Sequence, residues 1–313
     1  MDFIASTLPD LTHYSPLQKV NHPLLLTKGI TLSIKRDDLI HPDISGNKWR
    51  KLKHNLIYAK ENNRNQIITF GGAFSNHIHA LAAAAYHLKL NTIGIIRGEA
   101  HYASNPTLSQ AKKWGMQLQF VDRYNYRLKE EKSYLEKLQL DYPEAFIVPE
   151  GGSNKLAIPG VVEVIAELLQ QCEQPIDHLF TATGSGGTLA GLISGALQYT
   201  PKTNIHGVAV LKDANYLGNK VSNMVSDISP ARWQLHTQFH EGGYGKISQP
   251  LALFCQDFSR ITNIPIEPIY TGKMLFALWQ LITNDYFSPG SNIVALHTGG
   301  LQGLAGLKLM NKF

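Results

Sequence analysis

Short runs rich in β-branched and apolar residues recur along this chain, and longer helical patterns fill many of the gaps between them. The runs at 31–35, 66–70, 92–97, 117–121, 145–148, 178–182, 205–210 and 292–296 read as strands. Amphipathic or alanine-rich segments at 49–62, 78–88, 104–114, 157–171, 189–198 and 273–284 read as helices. A strand followed by a helix, repeated, allows parallel pairing, because the helix carries the chain back across one face of the sheet. The expected class is therefore α/β, with largely parallel sheets covered on both faces. The segment 125–143, rich in Lys, Glu and Tyr, reads as an exposed helix.

Gly-Gly pairs begin at 71, 151, 186, 242 and 299, mostly where a strand gives way to a turn. In open α/β sheets ligands bind at that end, because the loops there direct backbone N–H groups and helix N-termini into one crevice. One pair would mean only a tight turn. Five make a lined crevice the better reading.

Two of these turns and one lysine carry the chemistry. Ser45-Gly46-Asn47-Lys48-Trp49-Arg50-Lys51-Leu52 joins an extended segment to a helix. Neighbouring cations and a helix N-terminus both disfavour an ammonium, so Lys48 is expected to titrate below about 10.4 and to act as a free amine or a base. Phe180-Thr181-Ala182-Thr183-Gly184-Ser185-Gly186-Gly187-Thr188-Leu189 is a strand entering a hydroxyl-rich turn and then a helix, which suits a phosphate dianion. It lacks the Gly-Lys-Ser/Thr ending of a nucleoside triphosphatase loop. The strand after it leads into Leu211-Lys212, without the acid that would bind a dinucleotide ribose. Phe70-Gly71-Gly72-Ala73-Phe74-Ser75-Asn76-His77 is a similar unit, with Ser75 and Asn76 placed to cap a helix or to grip a carboxylate or ring hydroxyl.

Several classes are disfavoured. A net charge of +5 with one short basic cluster, at 48–53, does not make a nucleic-acid surface. No apolar run approaches the ~20 residues of a membrane helix, and Met1-Asp2-Phe3-Ile4-Ala5 has no basic flank of a signal peptide. Two cysteines, Cys172 and Cys255, fit packing roles in a reducing cytoplasm. The histidines show no zinc spacing, and His77 and His79 diverge on a helix, so no metal is expected.

Six motifs in one order then give a resemblance: Ser-Gly-Asn-Lys with Arg-Lys-Leu at 45–52, Gly-Gly-x-x-Ser-Asn-His at 71–77, Gly-Gly-Ser-Asn at 151–154, Gly-Ser-Gly-Gly-Thr at 184–188, Pro268-Ile269-Tyr270-Thr271-Gly272-Lys273, and His297-Thr298-Gly299-Gly300. From about residue 30 to 305 the chain resembles the D-cysteine desulfhydrase and 1-aminocyclopropane-1-carboxylate (ACC) deaminase family of pyridoxal 5'-phosphate (PLP) enzymes, related to the tryptophan synthase β subunit. The resemblance implies two three-layer α/β/α domains with PLP in the cleft between them. Residues 1–45 and 160–313 would form the large PLP-binding domain and 46–159 the small one. It implies that Lys48 binds the cofactor aldehyde and that Gly184, Ser185, Gly186, Gly187 and Thr188 cradle the phosphate. Asn76 would contact the ring hydroxyl, and Ser75, Asn76 and His77 the substrate. Tyr244 and Tyr270 would flank the substrate, with Thr271 and Thr298 beside the cofactor ring. It also implies a homodimer.

The same resemblance narrows the reaction. ACC deaminases have Glu where this chain has Thr271 and Leu where it has Thr298. A neutral hydroxyl makes the ring a weaker electron sink, and ACC has no α-proton for Lys48 to remove. Both differences favour β-elimination from a small amino acid such as D-cysteine, giving pyruvate, ammonia and sulfide. ACC deamination and a serine or threonine dehydratase activity are the alternatives, with a non-catalytic PLP-binding protein and a nicotinamide dehydrogenase further off. Phe74 stands where relatives tend to have Gln and His79 where many have Arg, so a smaller, more apolar pocket is expected.

Overall fold

A computed structural model describes residues 13–44, 46–226, 231–310 and 313. Ser45, the first residue of the lysine motif, and the opening Met1–Ala5 segment lie outside the described residues.

Two sheets organise the chain. The larger has six strands, β1 (Leu17–Lys19), β2 (Thr31–Lys35), β7 (His178–Thr183), β8 (Asn204–Ala209), β9 (Trp233–His236) and β10 (Asn292–Leu296), in the spatial order β1-β2-β10-β7-β8-β9. All pairs are parallel except β1 with β2. The smaller is a parallel sheet of β3 (Gln66–Gly72), β4 (Asn91–Arg97), β5 (Gln117–Val121) and β6 (Ala145–Val148), in the order β5-β4-β3-β6. Central strands such as β10 are buried along their whole length, as a sheet covered on both faces requires.

Each sheet is the middle layer of three. On one face of the larger sheet pack α1 (Pro23–Lys28), α10 (Gln249–Thr262) and α11 (Thr271–Thr283); on the other pack α7 (Ala157–Gln171), α8 (Gly187–Tyr199) and α9 (Tyr216–Met224). The smaller sheet is covered by α2 (Asn47–Glu61), α3 (Asn76–Leu88) and α4 (Pro106–Lys113) on one face. Its other face is covered by α5 (Arg123–Arg127) and α6 (Lys132–Asp141). Helix α12 (Gly303–Leu309) ends the described fold. The expected α/β class is what the structure has. The expected single helix at 125–143 is instead α5 and α6, separated by a 3-10 turn at Leu128–Glu130.

Helix α2 ties the halves together. Arg50 bonds Asp37 and Glu167, and Lys53 bonds Glu163 at 2.6 Å, so α2 is pinned to the end of β2 and along α7. At the crossing, a Cβ on Gly160 would lie 2.1 Å from the Arg50 carbonyl oxygen, which is why α7 carries glycine there. The basic cluster at 48–53 is thus divided: Arg50 and Lys53 serve packing, and Lys48 and Lys51 face inward.

Candidate active site

The C-terminal ends of β3, β4, β5 and β7 open on one cavity of about 1570 Å³. Parallel strands bring their following loops to the same side, and helix N-termini come with them. Lys48, Ser75, Asn76, His77, Gly184, Ser185, Gly186, Thr188, Tyr244, Tyr270 and Thr298 line it. Gly187 and Thr271 stand behind the wall and do not.

Lys48 occupies the first turn of α2. Gly46 has φ +67°, and a Cβ there would lie 2.0 Å from the Thr298 carbonyl oxygen, so only glycine lets the start of α2 approach 298–299 this closely. Lys48 Nζ donates to Asn47 Oδ1 at 2.7 Å, and Asn47 Nδ2 donates to Thr188 Oγ1 at 2.7 Å. The amine lies 5.8 Å from the Tyr270 ring centroid. Burial draws its pKa down to about 8, against the attraction of Glu267. Neighbouring cations are therefore not the main cause, contrary to the expectation from sequence.

Lys51, one turn further along α2, is 2 % exposed, and among the described residues its Nζ donates only to hydroxyls: Ser153 Oγ at 3.2 Å and Ser185 Oγ at 3.4 Å. Burial, and next the charge of Lys48, hold its pKa well below the usual lysine range. Two loops interlock around it. A Cβ on Gly151 would fall 2.5 Å from Ser185 Oγ, and one on Gly187 would fall 2.6 Å from Ser153 Oγ. Gly186, at φ +88°, turns the chain into α8, whose first N–H groups point into this corner.

Ser75 caps α3, accepting the Ile78 N–H at 3.3 Å, and also lines the cavity. Asn76 Oδ1 accepts from Gln302 Nε2 at 2.9 Å. His77 Nε2 meets Thr69 Oγ1 at 2.8 Å, while its Nδ1 is buried without a partner among the described residues. Burial, then Lys51 and Lys48, keep that imidazole neutral. Opposite, the Tyr270 hydroxyl donates to that of Tyr244 at 3.4 Å, and Lys273 Nζ holds the Tyr244 loop through the Gly243 carbonyl at 2.7 Å. Thr271 and Thr298 meet at 3.4 Å through their hydroxyls. Glu267, missed in the sequence, accepts the N–H groups of Ile269, Tyr270 and Thr271 at the start of α11, and burial raises its pKa to about 7.

The two residues that depart from the family pattern stand apart in the structure. His79 turns away to the Asp43 carbonyl and the Trp114 ring. Phe74 reaches the cavity but packs towards Gly306, whose Cβ would come within 2.8 Å of the ring. The outer wall is charged, with Arg97, Arg123, Arg127, Lys129, Glu150 and Lys220. Asn47, Lys51 and Ser153 are site residues that the sequence reading left unassigned. Lys51 had a signal, since a residue three positions after Lys48 shares its helix face.

The buried Lys51 amine, which among the described residues meets only hydroxyls, and the N-terminus of α8 stand at one corner, and that corner fits a phosphate dianion. The Lys48 amine beside it fits an aldehyde on the same molecule. Among the described residues no three His, Cys, Asp or Glu side chains are placed to hold a metal ion.

Comparison with known proteins agrees with this chemistry. The family model described as pyridoxal-phosphate dependent enzyme matches residues 12–299. A putative ACC deaminase from Pyrococcus horikoshii is 30 % identical over 283 residues, covering 88 % of this chain and 86 % of that protein. D-cysteine desulfhydrase from Klebsiella pneumoniae is 28 % identical over 320 aligned residues, covering 95 % of this chain and 98 % of the relative. A crystal structure of an ACC deaminase homologue superposes with a TM-score of 0.85 at 28 % identity, covering 98 % of this chain and 96 % of the other. The match takes in both lysines, both interlocked loops and the start of α11, and this chain belongs to the pyridoxal-phosphate dependent enzymes, with PLP as its cofactor.

Proposed function

We propose that the protein is a PLP-dependent lyase and deaminase of a small amino acid, with D-cysteine as the substrate and pyruvate, ammonia and sulfide as the products. The observation that carries this reading is the Thr271–Thr298 hydroxyl pair, neutral groups next to the cavity where a carboxylate would support a stronger electron sink. Relatives named for both D-cysteine desulfhydrase and ACC deaminase support the reaction class. ACC deamination is the second reading, and the absence of a carboxylate side chain at 271 weighs against it.

When bound, PLP supplies the electron sink for bond breaking at the substrate α-carbon. Lys51, Ser185, Thr188 and the first N–H groups of α8 would hold the phosphate, and Asn76 would contact the ring hydroxyl. The N–H groups at the start of α3, with Ser75, take the substrate carboxylate, and His77, whose Nε2–H is used on Thr69, backs that wall. Asn47 orients Lys48 Nζ, whose depressed pKa leaves a fraction of free amine near neutral pH. Lys48 Nζ removes the α-proton, and Tyr270 and Tyr244 cover the outer side and limit water. Water then enters the products: cysteine plus water balances to pyruvate, ammonia and hydrogen sulfide.

We infer the domain limits of 1–45 with 160–313 and 46–159, a homodimer and a cytoplasmic location as parts of the same reading. The two sheets draw their strands from residues on either side of those limits. Cys172 and Cys255 are free thiols, and among the described residues no helix is long and apolar enough to cross a membrane. The test is sulfide and pyruvate release from D-cysteine by PLP-loaded protein. The expected result is release that falls by at least about 10³-fold in Lys48→Ala, the scale of a lost catalytic base and covalent anchor. A yellow protein that releases no sulfide would overturn D-cysteine as the substrate.

A further inference from the structure

The cavity is larger than a cofactor and a three-carbon amino acid need, since pockets of about 300–1000 Å³ hold whole drug-sized ligands. Its outer wall includes the C-terminal ends of β4 and β5 and the start of α5, where three arginines, Arg97, Arg123 and Arg127, have no carboxylate partner among the described residues. Lys129 is 3.5 Å from Glu150, and Lys220 is 2.6 Å from Glu130. Arg97, the last residue of β4, also lines the cavity, yet no carboxylate oxygen lies within 4.0 Å of its guanidinium among the described residues.

Arg97 is exposed, but of the three it is the one that stands over an aromatic ring. Its guanidinium carbon stands 5.5 Å from the centroid of the Tyr126 ring. Tyr126 is itself buried and donates its hydroxyl to Glu150 at 2.8 Å. Arg97 pairs with Gly72 in the sheet register, and one guanidinium nitrogen is 3.7 Å from where a Gly72 Cβ would be. Gly72 in turn accepts the Ser75 N–H at 3.1 Å. The guanidinium therefore stands one turn from the residues read above as the grip on the substrate α-carboxylate. Its charge also reaches the Tyr244 phenol on the opposite wall. A planar fork of donors, held on a ring face and lacking an acid, matches a carboxylate or similar anion.

We propose that Arg97 is a specificity-determining residue that receives a second anionic group on the substrate side chain, so that the preferred amino acids are cysteine-like thioethers ending in an acid. The chemistry rests on the lyase reading above; the binding preference does not. Elimination from S-carboxymethylcysteine balances without oxidant or reductant. The Cβ–S bond breaks with its electron pair on sulfur, the α-proton passes to Lys48, and water completes pyruvate, ammonia and thioglycolate.

S-Carboxymethylcysteine and its neutral isostere S-carbamoylmethylcysteine, each as both enantiomers, are the probes. Binding is followed by the change in the visible absorbance of the PLP-loaded protein, and turnover by keto-acid release. The wild-type protein is expected to favour the acid over the amide on the order of 10-fold in affinity and in kcat/KM, through KM, for one enantiomer. Arg97→Gln should remove that ratio, and Arg97→Lys should retain part of it. Equal binding of acid and amide by the wild-type protein, no detectable binding of the acid, or a ratio that survives Arg97→Gln would overturn the proposal. Selective binding without keto-acid from any thioether, with no sulfide from D-cysteine, would leave Arg97's role standing and overturn the lyase reading.

Discussion

The floor and the mouth of the cavity are built on opposite principles. At the floor, Gly46, Gly151 and Gly187 approach neighbouring atoms so closely that a Cβ would fall 2.0, 2.5 and 2.6 Å from them. The mouth is made of long, exposed side chains joined by pairs such as Lys220–Glu130, whose side chains are 40 % and 56 % exposed. Backbone packing fixes the first; screened charge fixes the second. Cofactor holding should therefore tolerate almost no change, whereas the choice of substrate can be retuned at the mouth without loss of the fold.

Three substitutions test that contrast. Gly46→Ala should have the largest effect, because left-handed strain and overpacking each cost about 1–3 kcal/mol. Urea unfolding of the cofactor-free protein measures it, and an unchanged midpoint would break the claim that the floor is rigid. Lys51→Met should lower PLP affinity by about 10–100-fold, the scale of a hydrogen bond to a charged group. The same change should not destabilise the cofactor-free protein, since it removes a buried ammonium that has no acid partner. The pH sign follows from the depressed pKa. The unfolded chain holds more protons than the folded one between Lys51's lowered value and the unfolded value of about 10.4. Stability of the cofactor-free protein from this group is then complete above the unfolded value and is lost as pH falls towards the folded one. Thermal melts at about pH 7 and about pH 9 should show a smaller gain with pH in the variant. Lys220→Ala should matter least, at about 0–1 kcal/mol, with a KM change that disappears in high salt. A large, salt-independent change there would mean that the mouth is built like the floor.

The same contrast explains how much the sequence disclosed. Strands with continuous apolar runs were readable, down to the four-residue edge strand β6 (Ala-Phe-Ile-Val), whereas β1 (Leu-Gln-Lys) and β9 (Trp-Gln-Leu-His) are short and broken by polar residues. The floor was readable because its glycines and hydroxyls lie in short contiguous motifs. Lys51 escaped within the 45–52 motif, since a basic residue after a reactive lysine also fits a solvated helix face, and Arg50 beside it indeed serves an ion pair with Asp37. Glu267 lies just before the Pro-Ile-Tyr-Thr-Gly-Lys motif, and only folding shows that its carboxylate caps α11. The mouth was not readable at all. Lys220 and Glu130 are 90 residues apart, and nothing local in either segment announces the other.

Two inward-facing lysines, one helical turn apart, divide the central roles: one binds the cofactor aldehyde and the other holds the phosphate. Borohydride reduction of the PLP-loaded protein, followed by proteolysis and mass spectrometry, decides between them. The pyridoxyl group is predicted on Lys48, with Lys51 unmodified. A pyridoxyl group on Lys51, or none on either lysine, would contradict the account.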